Sequence, residues 1–123
     1  MPVLDHPTRP THETPGATFT TLVSPSRGAT SASVWQLHLH AGEPATPHRL
    51  TSEEIFVVTD GEAHGRLGDE RFTVGEGQTL VVPAGVDFEI TATAGGFDAL
   101  VYLPAGGKGV IGDGEPFTPP WAL

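Results

Sequence analysis

Two polar residues, His48 and Glu54, stand six positions apart near the middle of the chain. A carboxylate beside an imidazole in an apolar pocket fixes the tautomer of the imidazole and raises its basicity. Such a pair could take a proton from a carbon next to a carbonyl, which would support isomerisation, cyclisation or elimination. Burial would raise the pKa of Glu54 unless His48 or Arg49 compensates. The alternative is that the two side chains only satisfy each other's hydrogen bonds inside the fold.

Three further histidines bear on a possible metal site. His38 and His40 share a face of one predicted strand, and His64 lies on another. If those faces line an interior cavity, one or two of them could join His48 and Glu54 as the imidazole and carboxylate ligands of a transition metal. A shift of one residue in strand register reverses the face, so the sequence leaves this open. The preferred interpretation of each is a surface or hydrogen-bonded strand histidine.

Composition excludes several classes of function. The chain has 123 residues, enough for one domain, and 15 Asp plus Glu against 6 Lys plus Arg give a net charge of −9. Such acidity argues against nucleic acid or an anionic membrane as partner. With no cysteine, disulfides and zinc–thiolate sites are excluded. Neither a secretory signal nor a membrane-spanning apolar run is visible, so we expect a cytoplasmic protein.

Short segments rich in β-forming residues recur along the chain, and 16 Gly and 12 Pro separate them. Asp60-Gly61 and Gly68-Asp69 are typical of hairpin turns. Regular spacing of short strands with no lasting helical period predicts a β-sandwich or small barrel. The predicted strands cover 19–23, 31–40, 54–59, 63–67, 71–74, 79–82, 88–92 and 98–103.

Three segments follow from this pattern. Residues 1–16 are predicted to be an irregular N-terminal arm, and 17–104 to be the barrel. Residues 105–123 are rich in Pro and Gly but carry aromatic side chains near their end. Because exposed aromatic side chains are costly in water, we expect this tail to pack on the barrel or on a partner subunit.

Two motifs in the middle of the chain resemble those of the cupin superfamily. They read Gly42-x5-His48-x-Leu50-x3-Glu54-x6-Gly61 and Gly77-x5-Pro83-x-Gly85-x2-Phe88. The resemblance implies an all-β fold, a single-domain double-stranded β-helix that forms the cupin jelly-roll barrel. It also implies a homodimer, and we expect the arm and the tail at the contact between the subunits.

The resemblance implies one metal ion held by four side chains in cupins that bind metal. His48 and Glu54 match two of those positions, whereas Leu50 and Phe88 occupy the other two. The cofactor is therefore either none or a single divalent transition metal, and the metal-free state is favoured. If a metal binds, the predicted ligands are His48, Glu54 and His64.

Small cupins include isomerases, dioxygenases, decarboxylases, polyketide cyclases and ligand-binding modules. We predict a small-molecule enzyme with isomerase-, cyclase- or lyase-like acid–base chemistry in an apolar barrel pocket, with His48 and Glu54 as the catalytic residues. A non-catalytic ligand-binding cupin, and a metal-dependent cupin with a displaced histidine ligand, are the alternatives, so enzyme activity itself stays open. The side chains predicted to contact the ligand are Leu50, Phe56, Phe88, Gln36 and Tyr102.

Overall fold

Alternation of apolar and polar side chains decides which face of each strand is buried. In the strand that contains Trp35 and Leu37, these two side chains are 2% and 5% exposed, while Gln36 between them is exposed. The computed structural model describes residues 3–123. Its strands are β1 His12–Thr14, β2 Ala17–Val23, β3 Ala32–Leu39, β4 Arg49–Leu50, β5 Glu54–Leu67, β6 Glu70–Gly75, β7 Thr79–Val82, β8 Phe88–Pro104 and β9 Gly109–Val110.

The strands pair in antiparallel fashion throughout. The main sheet has the order β1-β2-β3-β8-β5-β6, with β7 also paired to β5, and a small second sheet joins β4 to β9. The only helical segments in the described part of the chain are two short 3-10 turns, Pro25–Arg27 and Pro120–Ala122. No helix within residues 3–123 has the length and apolar character that crossing a bilayer requires. This all-β arrangement confirms the predicted jelly-roll barrel.

Two long strands, β5 and β8, run through positions where the sequence predicted breaks. The expected turns at 60–61 and 94–96 are wrong, because both segments stay within continuous strands whose mutual register shifts twice. Gly61 and Gly96 adopt φ values of 76° and 82° there, and a Cβ on Gly61 would lie 2.2 Å from the carbonyl oxygen of Gly96. Glycine at these positions forms a bulge instead of a turn. The turn at 68–69 is confirmed by the pairing that surrounds it.

Residues 12–14, which were expected to be irregular, form the edge strand β1. His12 lies opposite Phe19 of β2, and the Thr11 amide donates a hydrogen bond of 2.8 Å to the Phe19 carbonyl. The prediction of an irregular arm is therefore wrong for these three residues. A free strand edge at β2 offers backbone hydrogen bonds that a polar segment can satisfy without an apolar pattern of its own.

The C-terminal tail packs on the barrel of its own chain, which is one of the two positions predicted for it. The Trp121 ring stacks on Phe19 with ring centroids 3.7 Å apart and an angle of 8° between the planes. Two buried hydroxyl groups of the barrel fix the tail backbone. Thr21 Oγ1 donates to the Trp121 carbonyl and Ser33 Oγ donates to the Ala122 carbonyl, each at 2.7 Å.

Candidate functional site

A cavity of about 520 Å³ lies inside the barrel and is mostly apolar. Strands β2, β3, β5 and β8 supply its walls, and the tail closes one side. Exposed lining residues at 40–46 mark its mouth. The aromatic side chains in the lining are Phe19, Trp35, Phe56, Phe88, Phe117 and Trp121. A cavity of this size and character is typical of a site for a small organic molecule.

Glu54 is the buried acid of this cavity. It is the first residue of β5, pairs with Val82 of β7, and is 6% exposed. Within residues 3–123 no hydrogen bond or ion pair reaches its carboxyl group, and desolvation by burial raises its pKa from 4.5 to about 8. Glu54 therefore carries its proton at neutral pH and presents a hydroxyl donor to the cavity.

His48 reaches the same cavity from the segment just before β4. Its backbone bridges Phe88 through hydrogen bonds of 3.0 and 2.8 Å, and its ring packs on the Phe88 ring with centroids 4.4 Å apart. Nδ1 lies 2.9 Å from the Thr46 carbonyl oxygen. Because a carbonyl oxygen only accepts, Nδ1 carries the hydrogen of the neutral ring, and Nε2 is left with a lone pair that can accept a proton.

The expected contact between His48 and Glu54 is absent from the described residues. Both side chains line the cavity, yet neither a hydrogen bond nor an ion pair joins them. The Thr46 carbonyl satisfies the imidazole in place of the carboxylate, and the Phe88 ring holds the imidazole plane. The prediction of a directly paired dyad is therefore wrong, and the two groups can act only from separate points on the wall.

Three of the predicted ligand-contacting residues lie in the cavity wall. Leu50, Phe56 and Phe88 are 3%, 4% and 2% exposed, and all three line the cavity. The Phe56 and Phe88 rings pack edge to face with centroids 6.0 Å apart. Their contact with a ligand stays a prediction.

Gln36 and Tyr102 lie on the outer face of the sheet. Gln36 is exposed and Tyr102 is 36% exposed, and neither lines the cavity. Their strand neighbours Trp35 and Val101 point inward, so alternation turns Gln36 and Tyr102 toward solvent. The prediction that these two residues contact a ligand in the cavity is wrong.

The other histidines do not complete a metal site. His64 follows the fully buried Ala63 on β5 and is exposed on the outer face. His38 is also outside, where its Nδ1 lies 2.9 Å from the Asp98 carboxylate, as the surface interpretation predicted. Across residues 3–123 no group of three His, Asp or Glu side chains is placed to hold a metal ion. The displaced centre that uses His64 is therefore not formed.

The cavity also does not fit the metal centre that the two motifs imply. Leu50 and Phe88 are buried at two of its four positions, which leaves the donors of His48 and Glu54. Protein sites for transition metals use three or four such donors. The described lining residues therefore do not fit a bound transition metal.

Sequence reasoning missed Glu43 as a lining residue, left the direction of His40 open, and did not place Phe117 and Trp121 in the cavity wall. His40 and Glu43 lie at the mouth of the cavity, and Phe117 and Trp121 of the tail form part of its wall. His40 follows the last residue of β3, where alternation no longer fixes its direction. The tail aromatics follow prolines rather than a strand pattern, so only their packing shows that they belong to the site.

The chain folds as an all-β jelly-roll barrel with an interior cavity, and the comparison with family models is more specific. A family model described as a cupin domain matches residues 35–104, more than half of the chain. The chain belongs to the cupin family. A search of curated proteins finds no match.

Solved structures show the same fold at low sequence identity. The polyketide cyclase RemF from Streptomyces resistomycificus is 22% identical with a TM-score of 0.66, over 72% of this chain and 65% of that one. A structure of the DMSP lyases RdDddP and RnDddQII is 22% identical with a TM-score of 0.69, over 79% and 53%. Salicylate 1,2-dioxygenase from Pseudoaminobacter salicylatoxidans is 19% identical with a TM-score of 0.69, over 82% and 30%. This chain therefore spans less than two thirds of each of these proteins.

Proposed function

We propose that the chain is a small-molecule enzyme that needs no metal and moves protons within its cavity, with Glu54 as general acid and His48 as general base. The observation that carries this proposal is Glu54, a buried carboxyl group that lines an apolar cavity and has no hydrogen-bonding partner among the described residues. A group with a pKa of about 8 can both give and take a proton near neutral pH. Burying such a group is costly for folding, which supports a functional role.

The proposed reaction step is enolisation of a bound carbonyl compound. His48 Nε2 takes a proton from the carbon next to the carbonyl, and the C–H electron pair forms a C=C bond. The carbonyl electrons move to oxygen, which receives the Glu54 proton. The enol then gives its O–H proton back to Glu54, and its electrons take the His48 proton at another carbon, attack a second carbonyl whose oxygen takes that proton, or expel a leaving group that takes it. These outcomes are isomerisation, cyclisation and elimination. Cyclisation and elimination are the kinds of reaction that the names of two structural neighbours, a polyketide cyclase and DMSP lyases, indicate.

An exchange experiment tests the proposal before any natural substrate is known. The probe is 2-acetonaphthone in D₂O, and NMR follows the exchange of its acetyl protons for deuterium. We expect the protein to catalyse this exchange, and Glu54→Gln and His48→Ala to slow it at least about tenfold each, a modest share of acid–base catalysis. The matched control is Glu53→Gln, because Glu53 is exposed and does not line the cavity. Exchange that is equally fast in all of these proteins would refute the proposal.

A non-catalytic ligand-binding cupin is the second candidate. The observation in its favour is that His48 and Glu54 make no direct contact, while most of the lining is apolar. In this case the probe ketone binds and stabilises the protein, but its acetyl protons exchange at the buffer rate. Binding and exchange measured on the same sample separate the two functions.

A further inference from the structure

The cavity lining has a simple charge pattern. Within the described residues it contains no lysine or arginine, and its titratable side chains are His40, Glu43, His48 and Glu54. The whole chain carries a net charge of −9, so its field also opposes the entry of anions. A carboxylate or phosphate ligand would therefore lose its hydration without gaining a cationic partner, which is costly in an apolar site.

The polar group deep in the cavity is a donor without an acceptor. Glu54 is 6% exposed, and within residues 3–123 nothing accepts a hydrogen bond from it. An unpaired buried polar group is costly, and a ligand oxygen that accepts from it recovers that loss. A neutral group supplies such an oxygen at the lowest cost, because the lining offers a charged carboxylate no lysine or arginine.

The walls indicate the shape of the rest of the ligand. Six aromatic side chains line the cavity, and two of them, Phe19 and Trp121, are already stacked on each other 3.7 Å apart. The Phe88 ring packs against the His48 ring at 4.4 Å and against the Phe56 ring at 6.0 Å, measured between ring centroids. Aromatic walls of this kind favour flat apolar molecules, which stack on ring faces or meet ring edges.

We infer that the cavity selects an uncharged, flat organic molecule whose carbonyl oxygen accepts a hydrogen bond from Glu54, and that it rejects organic anions. The inference rests on the proposed function only in assigning Glu54 the role of donor to a carbonyl. It goes beyond that function because it sets the charge and the shape of the substrate.

Two probes of nearly equal shape test the selectivity. In 2-acetonaphthone a methyl group stands where 2-naphthoate has a charged oxygen, so the two differ mainly in charge at about pH 6.5. We expect the ketone to bind at least about tenfold more tightly, because the anion must give up hydration that this lining does not replace. The amine 2-naphthylmethylammonium serves as the cationic arm and should also bind more weakly than the ketone.

Binding is measured from ¹⁵N-detected spectra of the two tryptophan indole groups. Both tryptophans of the chain, Trp35 and Trp121, line the cavity, so a ligand inside must shift both signals. Glu54→Gln keeps a donor and should hold the affinity for the ketone within about threefold, whereas Glu54→Leu removes the donor and should lower it about tenfold. The same spectra show whether each variant is folded.

The outcomes separate this inference from the proposed function. Selective binding of the ketone without proton exchange would refute the proposed enzyme and leave the inference standing. Catalysed exchange together with equal or tighter binding of 2-naphthoate or of the amine would overturn the inference and leave the proposed enzyme standing. Failure of the ketone to bind below about 1 mM, an affinity of about 4 kcal/mol, would also overturn the inference.

Discussion

Glu54→Gln should make the protein more stable than the wild type, by a margin that grows as the pH rises. Burial raises the pKa of Glu54 from 4.5 to about 8 in the folded chain. The unfolded chain therefore loses this proton near pH 4.5, while the folded chain keeps it until about pH 8. Between these values the folded state binds one more proton, so its stability falls as the pH rises. The loss amounts to about 3 kcal/mol at pH 7 and about 5 kcal/mol above pH 8.

The variant carries a neutral amide of nearly the same shape and has no proton to lose. At about pH 4.5 the free energies of unfolding of the two proteins should differ by less than about 0.5 kcal/mol, because the carboxyl group is then neutral in the folded chain and only half ionised in the unfolded one. At about pH 8.5 the variant should be more stable by several kcal/mol, a figure that urea denaturation measures well. Glu53→Gln is the control, since Glu53 is exposed and its substitution should leave the pH dependence unchanged. Parallel curves for the wild type and Glu54→Gln would refute the reasoning.

Three further sets of substitutions test the fold, the missing metal ligands and the tail. Gly61→Ala should lower the free energy of unfolding, measured by urea denaturation, by more than about 2 kcal/mol, because the new Cβ would clash with the carbonyl oxygen of Gly96. Gly85 has a similar φ but open space around it, so Gly85→Ala should lower the free energy of unfolding by about 1 kcal/mol. Equal losses would contradict the facing bulges. The double variant Leu50→His, Phe88→His should bind about one zinc ion per chain by elemental analysis, because it restores four donor side chains. A zinc content equal to that of the wild type would contradict the claim that Leu50 and Phe88 occupy metal-ligand positions. Trp121→Ala should lower stability by about 2 kcal/mol and weaken binding of 2-acetonaphthone, and unchanged binding would remove the tail from the site.

The fold and part of the cavity wall follow from the sequence because they depend on local rules. The resemblance of the two motifs to those of cupins identified the barrel, and alternation along β5 placed Glu54 and Phe56 on the inner face. Leu50 and Phe88 are buried in the wall at the positions that the motifs assign to metal ligands. Apolar side chains at these positions can be predicted, since burial of large apolar groups stabilises a barrel with an interior cavity.

Other features depend on contacts that no local pattern encodes. Asp60-Gly61 reads as a turn, but the facing bulge in β8 keeps the strand continuous. Nδ1 of His48 donates a hydrogen bond to the Thr46 carbonyl oxygen, and this contact replaces the expected contact with Glu54. Trp121 reaches the cavity through packing on Phe19, about a hundred residues away along the chain. Which side chains line the cavity therefore depended on three-dimensional packing.

Direct titration of the Glu54 carboxyl group tests whether Glu54 keeps its proton at neutral pH. The protein is labelled with ¹³C at the side-chain carboxyl carbons of glutamate, and the Glu54 signal is assigned by its absence from the Glu54→Gln variant. We expect this signal to titrate with a midpoint of about pH 8, well above the ordinary value of 4.5, because the carboxyl group is buried. A midpoint near 4.5 would contradict it, because the carboxyl group would then be ionised and hydrated at neutral pH and would have no proton to donate.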